Sequence, residues 1–334
     1  MADARCLLGV SKTALITGIS GQDGSYLAEI LLENAYRVVG IVRGPTSVPY
    51  PRIEHLRDAI ELDDCDLLDQ RALERLLRHY CPSEVYNFCA RANSAQSFSE
   101  QVRAGQIDGV AVLRMLEAIR VVNPEIKFCQ ASTSELFGKA VESPQSEATA
   151  FYPRNPYGVA KLYGHWITVN YRETQRVFAC SSILFNHESP RRGDQFVTRK
   201  ISLAVARIKA GLQDTVHLGD LDARRDWGYA PDYTRAMWLM LQAPAADDYV
   251  LATGETHTVR EFCRLAFGHV GLFYENHVVQ EMEDQRPADT VQLVGDSHKA
   301  RRVLKWRPTV TFEEIVSAMV DSDLDCLARQ GHAK

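Results

Sequence analysis

The stretch that decides the fold is Lys12–Gly24, which reads KTALITGISGQDG. Its first six residues form an apolar run typical of a buried β-strand, and glycines follow at every third position from Gly18 to Gly24. The next run, 25–34, has helical periodicity. Glycines let the backbone come close to a pyrophosphate, and a helix N-terminus offers N–H groups and a positive dipole end. The stretch therefore predicts a dinucleotide phosphate cradle. A tight turn that binds nothing is disfavoured, because a second buried strand follows at 37–42.

Strand and helix patterns alternate through the first half of the chain. Further strands are predicted at 62–67, 84–90, 127–132 and 177–185, and helices at 69–79, 107–121, 197–211, 232–242 and 312–327. This alternation is typical of an α/β protein with a Rossmann-type doubly wound parallel sheet, whose ligands gather at the carboxyl ends of the strands. A polar, turn-rich segment at 186–193 then changes the pattern. We predict a cofactor-binding domain at 12–185 with about 223–244, and a smaller, mixed C-terminal substrate-binding domain at 186–222 and 245–330.

The residue after the second strand is Arg43. An acidic residue at this position would hold the ribose 2′-hydroxyl of NAD, whereas a cation suits the 2′-phosphate of NADP. NADP is therefore the predicted cofactor, and a solvated surface arginine is the alternative. The third predicted strand ends in Asp66 and Leu67, which are placed to contact the adenine.

Two polar stretches supply candidate chemistry. Residues 132–135 follow a predicted strand end, and Lys161 lies one helical turn after Tyr157. An ammonium beside a phenol stabilises the phenolate and lowers its pKa from about 10. Tyr157 is therefore predicted to take a proton from a sugar hydroxyl while hydride leaves the same carbon. Such a pair also occurs on solvated helix faces, and a Ser or Thr after a strand often only caps a turn. The cofactor loop upstream favours the catalytic interpretation.

Composition excludes several classes of partner. The formal net charge is −5, which argues against a broad nucleic-acid-binding surface. No apolar run reaches the roughly 18 residues of a membrane span, and no signal-peptide pattern opens the chain. The 8 cysteines are scattered, without metal-binding spacing, so we predict free thiols, a cytoplasmic location and no metal site. Residues 1–11 carry no pattern and are predicted to be a loose extension.

Five stretches are similar to those of a known family. They read TGISGQDGSYLA at 17–28, STSE at 132–135, YPRNPYGVAK at 152–161, ILFNHESPRRG at 183–193 and RRDWG at 224–228. In them the chain resembles the GDP-mannose 4,6-dehydratases, a family of extended short-chain dehydrogenases/reductases, from about residue 12 to about residue 324. The cofactor loop and the Tyr–Lys pair specify only the superfamily. The stretch 186–193 is more specific to enzymes that act on GDP-sugars.

The resemblance implies conversion of GDP-D-mannose to GDP-4-keto-6-deoxy-D-mannose, with NADP reduced and reoxidised in one turnover. Tyr157 would take the proton from O4 of the sugar, and Thr133 would orient that oxygen. Glu135 would remove the proton on C5 and then protonate the departing C6 hydroxyl. Hydride would return to C6, and Lys161 would also hold the nicotinamide ribose.

The resemblance also implies positions for binding. The cofactor positions are Gly18, Gly21, Gln22, Asp23, Gly24, Arg43, Asp66, Leu67, Tyr157, Lys161, Arg191 and Arg192. The substrate positions are Asn186, Glu188, Lys200, Arg225, Arg286 and Asp289. The loop with Arg191 and Arg192 would reach the cofactor site of a neighbouring subunit, which implies a homotetramer built from dimers, or a homodimer. The planar forks of Arg191, Arg192, Arg225 and Arg286 are also candidates to clamp a diphosphate, although scattered arginines are usually solvated.

Several residues depart from the family pattern. Arg91 and Ala92 replace a glutamine and a serine beside the expected sugar site, and Gly44 replaces a second arginine after the second strand. Asp289 replaces a glutamate, and Val291 an aspartate. These changes leave open a related dehydratase that acts on a modified sugar such as GDP-manno-heptose, or simple drift.

Two further hypotheses keep the fold but change the function. One is an NADP-dependent nucleotide-sugar epimerase or decarboxylase, and the second is a redox-inactive NADP-binding scaffold. Glu135 argues against a 4-epimerase and a decarboxylase, since neither reaction needs a base at C5 followed by loss of the C6 hydroxyl. The intact set of Thr133, Glu135, Tyr157 and Lys161 argues against the scaffold.

Overall fold

A seven-stranded parallel sheet forms the centre of the protein, and the predicted Rossmann-type fold is confirmed. The computed structural model describes residues 12–90, 100–281 and 292–331. The strands are β1 (Thr13–Thr17), β2 (Arg37–Val42), β3 (Glu61–Asp64), β4 (Glu84–Asn87), β5 (Lys127–Ala131), β6 (Ala179–Leu184), β7 (Asn186–Glu188), β8 (Val216–Leu218), β9 (Arg224–Arg225), β10 (Trp227–Tyr229), β11 (Asp248–Leu251), β12 (His257–Thr258) and β13 (Val278–Gln280). The order in the large sheet is β11-β6-β5-β4-β1-β2-β3, and every neighbouring pair is parallel. The carboxyl ends of these strands therefore meet at one edge.

Helices cover both faces of this sheet. The helices of the described residues are α1 (Gln22–Glu33), α2 (Gln70–Tyr80), α3 (Gln101–Ala104), α4 (Ala111–Val122), α5 (Pro156–Gln175), α6 (Val197–Lys209), α7 (Ala230–Gln242), α8 (Val259–His269), α9 (His298–Val303) and α10 (Phe312–Arg329). On one face α1 and α7 pack through side chains such as Leu27 and Met237, and on the other α2, α4 and α5 pack through Leu73, Leu116 and Tyr171. Full burial of each such leucine stabilises the fold by roughly 2 kcal/mol, which explains why apolar periodicity located these helices.

A separate apolar core lies among α6, α8 and α10. It contains Trp227, Phe262 and Phe312, and the rings of Trp227 and Phe312 stack with centroids 5.8 Å apart. The parallel pair β8–β13 closes this core, while β10 runs parallel to β7 and β12 pairs antiparallel with β9. The chain thus enters this region after β6 and returns to the large sheet through α7 and β11.

The structure differs from the predicted elements in three places. The third strand is Glu61–Asp64 and ends before Asp66, and the helix expected at 107–121 begins with a π-helical segment, Gly105–Val110. In addition, β11 pairs with β6 in the large sheet, so the predicted range 245–330 includes a strand of that sheet. A four-residue strand soon after a long helix carries no periodic signal of its own. The loose extension predicted at 1–11 lies outside the described residues. Within those that are described, no helix is long and apolar enough to span a membrane.

Candidate active site

The glycine loop between β1 and α1 is closely packed against its own backbone. Gly18 has a φ of +70°, which L side chains rarely adopt. A Cβ on Gly24 would lie 2.5 Å from the carbonyl oxygen of Gly18 and 2.6 Å from the Cα of Ile19. Gly21 is the N-cap of α1 and supplies no side-chain cap. The loop therefore presents a helix N-terminus without side chains in front of it, and this cradle fits the phosphates of a dinucleotide.

Side chains of the same loop bind the segment after β6. His187 is buried, with its Nε2 3.0 Å from Oδ2 of Asp23 and its Nδ1 2.7 Å from the carbonyl oxygen of Phe185. Gln22 donates to the carbonyl oxygen of His187 at 3.1 Å and accepts from the Ser189 hydroxyl at 2.8 Å. Sequence reasoning missed His187 because the residue it contacts lies far away in the chain. The signal for His187 in the sequence is its position within 183–193, a stretch that resembles the family.

The contact between Asp23 and His187 favours the charged form of each side chain. Burial alone would raise the pKa of Asp23, but the charge and hydrogen bond of His187 lower it below its usual value. Burial alone would lower the pKa of His187, but Asp23 raises it above its usual value. The carboxylate of Asp23 is thus engaged within the chain.

The other cofactor candidates lie at the ends of β2 and β3. Arg43 is exposed immediately after β2. Asp66 is exposed and accepts from the backbone N–H of Leu68 at 2.9 Å, while Leu67 is buried. Arg43 follows β2, which neighbours β1, and Asp66 and Leu67 follow β3, the next strand outward, so all three lie at the edge of the sheet that carries the glycine loop.

Tyr157 and Lys161 lie in the first two turns of α5, and both are buried. The Lys161 ammonium donates to the carbonyl oxygen of Ala131, at the end of β5, at 2.8 Å. Its Nζ lies 5.8 Å from the centre of the Tyr157 ring. Burial lowers the pKa of Lys161, although the carboxylate of Asp108 acts in the opposite direction.

The expected lowering of the tyrosine pKa is wrong. Burial raises the pKa of Tyr157, and the carboxylate of Asp108 adds to that effect. A hydrogen bond with Thr133 and the charge of Arg192 act in the opposite direction but do not compensate. The sequence argument considered only the neighbouring ammonium, whereas desolvation of the phenolate dominates.

Thr133 and Glu135 follow β5. Thr133 is buried and hydrogen-bonds with Tyr157, and its Oγ1 accepts from the backbone N–H of Glu135 at 3.2 Å. Glu135 lies in a one-turn 3₁₀ helix, Ser134–Leu136, and its Oε2 accepts from Nδ2 of Asn155 at 2.8 Å. The structure therefore brings Thr133, Glu135, Tyr157 and Lys161 together between the end of β5 and the start of α5. Asn155 is a further residue of this group that sequence reasoning missed, because an asparagine before a helix indicates only a cap.

The predicted arginines of 186–193 are engaged within the chain. Arg191 donates to Glu29 and Ser25 of α1 at 2.5 and 3.1 Å, and its guanidinium lies over the Tyr26 ring. Arg192 pairs with Glu188 at 3.1 Å. The carboxylate of Glu188 is buried and also accepts from Thr198 at 2.5 Å, so it anchors this loop.

The substrate candidates are spread along the second region. Asn186 is half-buried at the start of β7, and Arg225 is half-buried in β9, with its Nη1 donating to the carbonyl oxygen of Arg224 at 2.7 Å. Lys200 lines a cleft of about 330 Å³ with Arg207 and His217. Arg286, Asp289, Val291 and the departures Arg91 and Ala92 lie outside the described residues. No group of His, Cys, Asp or Glu able to hold a metal ion is found within 12–90, 100–281 and 292–331.

A glycine cradle at β1–α1 and a Tyr–Lys pair on α5 beside the end of β5 define an extended short-chain dehydrogenase/reductase. Two solved structures share this fold. RMD of Pseudomonas aeruginosa, solved with NADPH, has a TM-score of 0.81 and 23% identity, covering 95% of this chain and 100% of that one. The dTDP-glucose 4,6-dehydratase of Bacillus anthracis, solved with NAD, has a TM-score of 0.83 and 18% identity over 95% and 98% of the two chains.

Sequence similarity is closer to one branch of this superfamily. The family profile described as GDP-mannose 4,6 dehydratase matches residues 15–319. The GDP-mannose 4,6 dehydratase of Cricetulus griseus is 47% identical over 96% of this chain and 94% of its own length. The chain therefore belongs to the GDP-mannose 4,6-dehydratase family, and it is a hydro-lyase of the 4,6-dehydratase type.

Proposed function

We propose that this enzyme converts GDP-D-mannose to GDP-4-keto-6-deoxy-D-mannose. The observation that carries the proposal is the position of Glu135. A carboxylate lies beside the Tyr157 phenol and Thr133, so one group can act on the sugar oxygen while another acts on neighbouring carbons. A 4-epimerase needs the tyrosine but does not need a base at C5 that then protonates a departing C6 hydroxyl. Membership of the family and the closely similar relative support the same reaction.

The chain's own residues supply the proton transfers. A bound dinucleotide would accept hydride from C4 and return it to C6. Tyr157 takes the proton from O4, and Thr133 holds that oxygen through its hydroxyl. The resulting ketone acidifies the proton on C5, which Glu135 removes. Glu135 then gives this proton to the C6 hydroxyl, which leaves as water. The return of hydride to C6 requires a proton at C5, and this proton balances the one that Tyr157 took from O4.

The raised pKa of Tyr157 bears on its proposed role as the base that takes the O4 proton. A phenol whose pKa burial has raised acts as a base only where a nearby cation stabilises the phenolate, because burial favours the neutral form. The charge of Arg192 lowers the pKa of Tyr157, and the Lys161 ammonium, itself desolvated in the same site, lies 5.8 Å from the centre of the ring. Loss of the O4 proton is then coupled to departure of hydride from the same carbon.

We propose NADP as the cofactor. Gly18, Gly21 and Gly24 would face its phosphates, Arg43 its 2′-phosphate, and Asp66 and Leu67 its adenine. The exposed guanidinium directly after β2 supports this choice, since no carboxylate occupies position 43. Equilibrium binding of NADP and NAD to the wild type and to Arg43→Ala tests it. We expect wild type to prefer NADP and the variant to lose about tenfold in NADP affinity only. Equal losses for both cofactors would refute this role.

The proposed reaction is tested with GDP-mannose carrying deuterium at C4. The purified enzyme with NADP should give a 4-keto-6-deoxy product whose methyl group contains that deuterium, with no net change in NADP. NMR spectroscopy of the product reads out both features. Deuterium lost to solvent, or a product that keeps its C6 hydroxyl, would exclude a dehydratase acting in this way. GDP-manno-heptose in a parallel reaction shows whether a modified sugar is preferred.

The same proposal assigns a region of the chain to binding of the GDP-sugar. We propose that the separate core of α6, α8 and α10 supports a GDP-sugar-binding region, with the nucleotide near Lys200 and Arg225. Asn186, Glu188, Arg286 and Asp289 complete the set of candidate positions.

The cysteines bear on the location of the enzyme. Four buried thiols are free, and they support a reducing compartment: Cys65, Cys129, Cys180 and Cys263. We therefore propose the cytoplasm.

We further propose that two copies of the chain associate through α5. Val159, Tyr163 and Trp166 lie on one face of this helix and are 56%, 46% and 55% exposed. Val159 and Tyr163, with Val110 of the π-helical segment, border an apolar groove of about 630 Å³. A face of this kind can pair with its own copy about a twofold axis. Sedimentation should show a dimer or tetramer, and Val159→Lys should weaken it, whereas Val141→Lys, exposed elsewhere, should not. A monomeric wild type would refute this.

A further inference from the structure

The side chain of Asn155 joins the two segments that carry the proposed catalytic groups. Its Oδ1 accepts from the backbone N–H of Gly158 in the first turn of α5 at 2.7 Å, and its Nδ2 donates to Oε2 of Glu135 at 2.8 Å. We propose that Asn155 is a positioning residue that fixes the carboxylate of Glu135 relative to the Tyr157 helix. This inference rests on the proposed dehydratase function.

The orientation of this amide follows from its partners. Only the oxygen can accept the Gly158 N–H, so the nitrogen must face Glu135. Asn155 has the extended backbone of an N-cap, and Pro156 at the next position begins the helix without needing an acceptor. The amide is therefore held by the helix terminus independently of the carboxylate it contacts.

The same two segments are also in backbone contact. A Cβ on Gly158 would lie 2.9 Å from the carbonyl oxygen of Glu135 and 3.4 Å from Oδ1 of Asn155. From the other side, the Thr133 hydroxyl accepts from the Glu135 backbone N–H. The backbone of Glu135 is thus fixed by Thr133 and α5, and its side chain by Asn155.

This arrangement suits a base that must act at two neighbouring carbons. A hydrogen bond from an amide to a carboxylate is charge-assisted, and it restrains rotation of the carboxylate. With Oε2 held by Asn155, Oε1 is the oxygen left for proton transfer. Because the amide does not itself titrate at neutral pH, it orients Glu135 without competing for the C5 proton.

Three substitutions separate this role from helix capping. Asn155→Ser keeps a cap but is too short to reach Glu135. Asn155→Asp keeps a cap and places a second carboxylate against the first. Asn155→Ala removes both functions, and it alone should lower the Tm, by about 2 °C. All three keep the residues that bind cofactor.

The readouts are the rate of exchange of the C5 proton with deuterated water, the rate of C4 oxidation and the pH profile of kcat. Asn155→Ser should slow C5 exchange and water loss about tenfold, the effect expected for a lost hydrogen bond to a charged group, and leave KM and C4 oxidation near wild type. Asn155→Asp should slow them more and move the acid limb of the profile to higher pH. Tyr157 is a titratable neighbour of Glu135, and the charges of Asp108 and Arg192 also act on the Tyr157 phenol. Tyr157→Phe therefore serves as a reference, because it removes the limb of the pH profile that belongs to the tyrosine.

The outcomes are distinguishable. If wild type forms product and Asn155→Ser matches it in C5 exchange and pH profile, Asn155 is only a cap and the inference is wrong. If Asn155→Ala alone is impaired, in proportion to its loss of stability, the inference also fails. If wild type itself gives no 4-keto-6-deoxy product, the proposed function falls, and the inference with it.

Discussion

Replacing Gly24 by alanine probes the cofactor cradle where it is tightest. The new Cβ would lie 2.5 Å from the carbonyl oxygen of Gly18 and 2.6 Å from the Cα of Ile19, and both are backbone atoms. A flexible side chain could move away, but here the loop or α1 must shift by about 1 Å to restore ordinary contact distances. Overpacking of this kind typically costs about 1–3 kcal/mol, and the absence of a movable partner places Gly24→Ala near about 3 kcal/mol.

The expected shift in stability is measurable. In a chain of this size about 3 kcal/mol corresponds to a fall in Tm of about 4 °C. Because the displaced atoms belong to the proposed phosphate cradle, NADP affinity should fall at least about tenfold, in line with about 1.4 kcal/mol per decade. Thermal unfolding with and without NADP and titration calorimetry measure the two effects.

Gly268 of α8 provides the matched control. A Cβ there meets nothing within 4 Å, so Gly268→Ala should leave NADP affinity unchanged and stabilise the helix by roughly 0.5 kcal/mol. If Gly24→Ala binds NADP as wild type does and unfolds at the wild-type Tm, the close approach of α1 to the glycine loop is not what shapes the cofactor site.

Three further predictions concern the proton-transferring and buried charged groups. Glu135→Gln should block loss of water while leaving C4 oxidation partly active, and a wild-type yield of 4-keto-6-deoxy product from this variant would contradict the role of Glu135. Tyr157→Phe should lower the rate of C4 oxidation by about 100-fold, measured by single-turnover kinetics, and a change below about threefold would exclude acid–base catalysis by the phenol. His187→Gln should destabilise the protein most at mildly acidic pH. The raised pKa of His187 gives stability that is fully present below its ordinary value of 6.5 and is lost as pH rises through the folded-state pKa. The lowered pKa of Asp23 gives stability that is present above 3.8 and is lost as pH falls through its folded-state pKa. The Tm difference between wild type and His187→Gln should therefore be largest at about pH 5 and shrink towards about pH 9, and a difference independent of pH would refute the ion pair.

Most of the fold was predictable because its signals are local. Apolar runs of five or six residues mark β1 and β2, the glycine spacing marks the turn into α1, and α5 is indicated by Asn155, Pro156 and a long periodic run. The strand β11 has only four residues and takes its place through pairing with β6, so nothing in its own sequence separates it from a loop. The π-helical turn within 105–110 depends on packing against α5, which a pattern of period 3.6 cannot show.

The residues of the candidate site could be predicted from the sequence, but the contacts between their side chains could not. The positions of Thr133, Glu135, Tyr157 and Lys161 follow from a strand end and a helix start, and the structure brings them together. The direction of the Tyr157 pKa was wrong because desolvation depends on tertiary packing. The contacts of Asn155 with Glu135 and of His187 with Asp23 join residues that lie 20 and 164 positions apart, and no local pattern predicts such pairs.

The hydrogen bonds between the glycine loop and the segment at β7 bear on whether the proposed cofactor stays bound between turnovers. Gln22, Asp23, His187 and Ser189 form one cluster of hydrogen bonds that joins the glycine loop to β7 and the residue after it. A dinucleotide that ends each catalytic cycle in the redox state in which it began has no need to exchange. We expect these four side chains to hold the loop in place against the proposed cofactor, which would then stay bound while successive sugar substrates enter and leave.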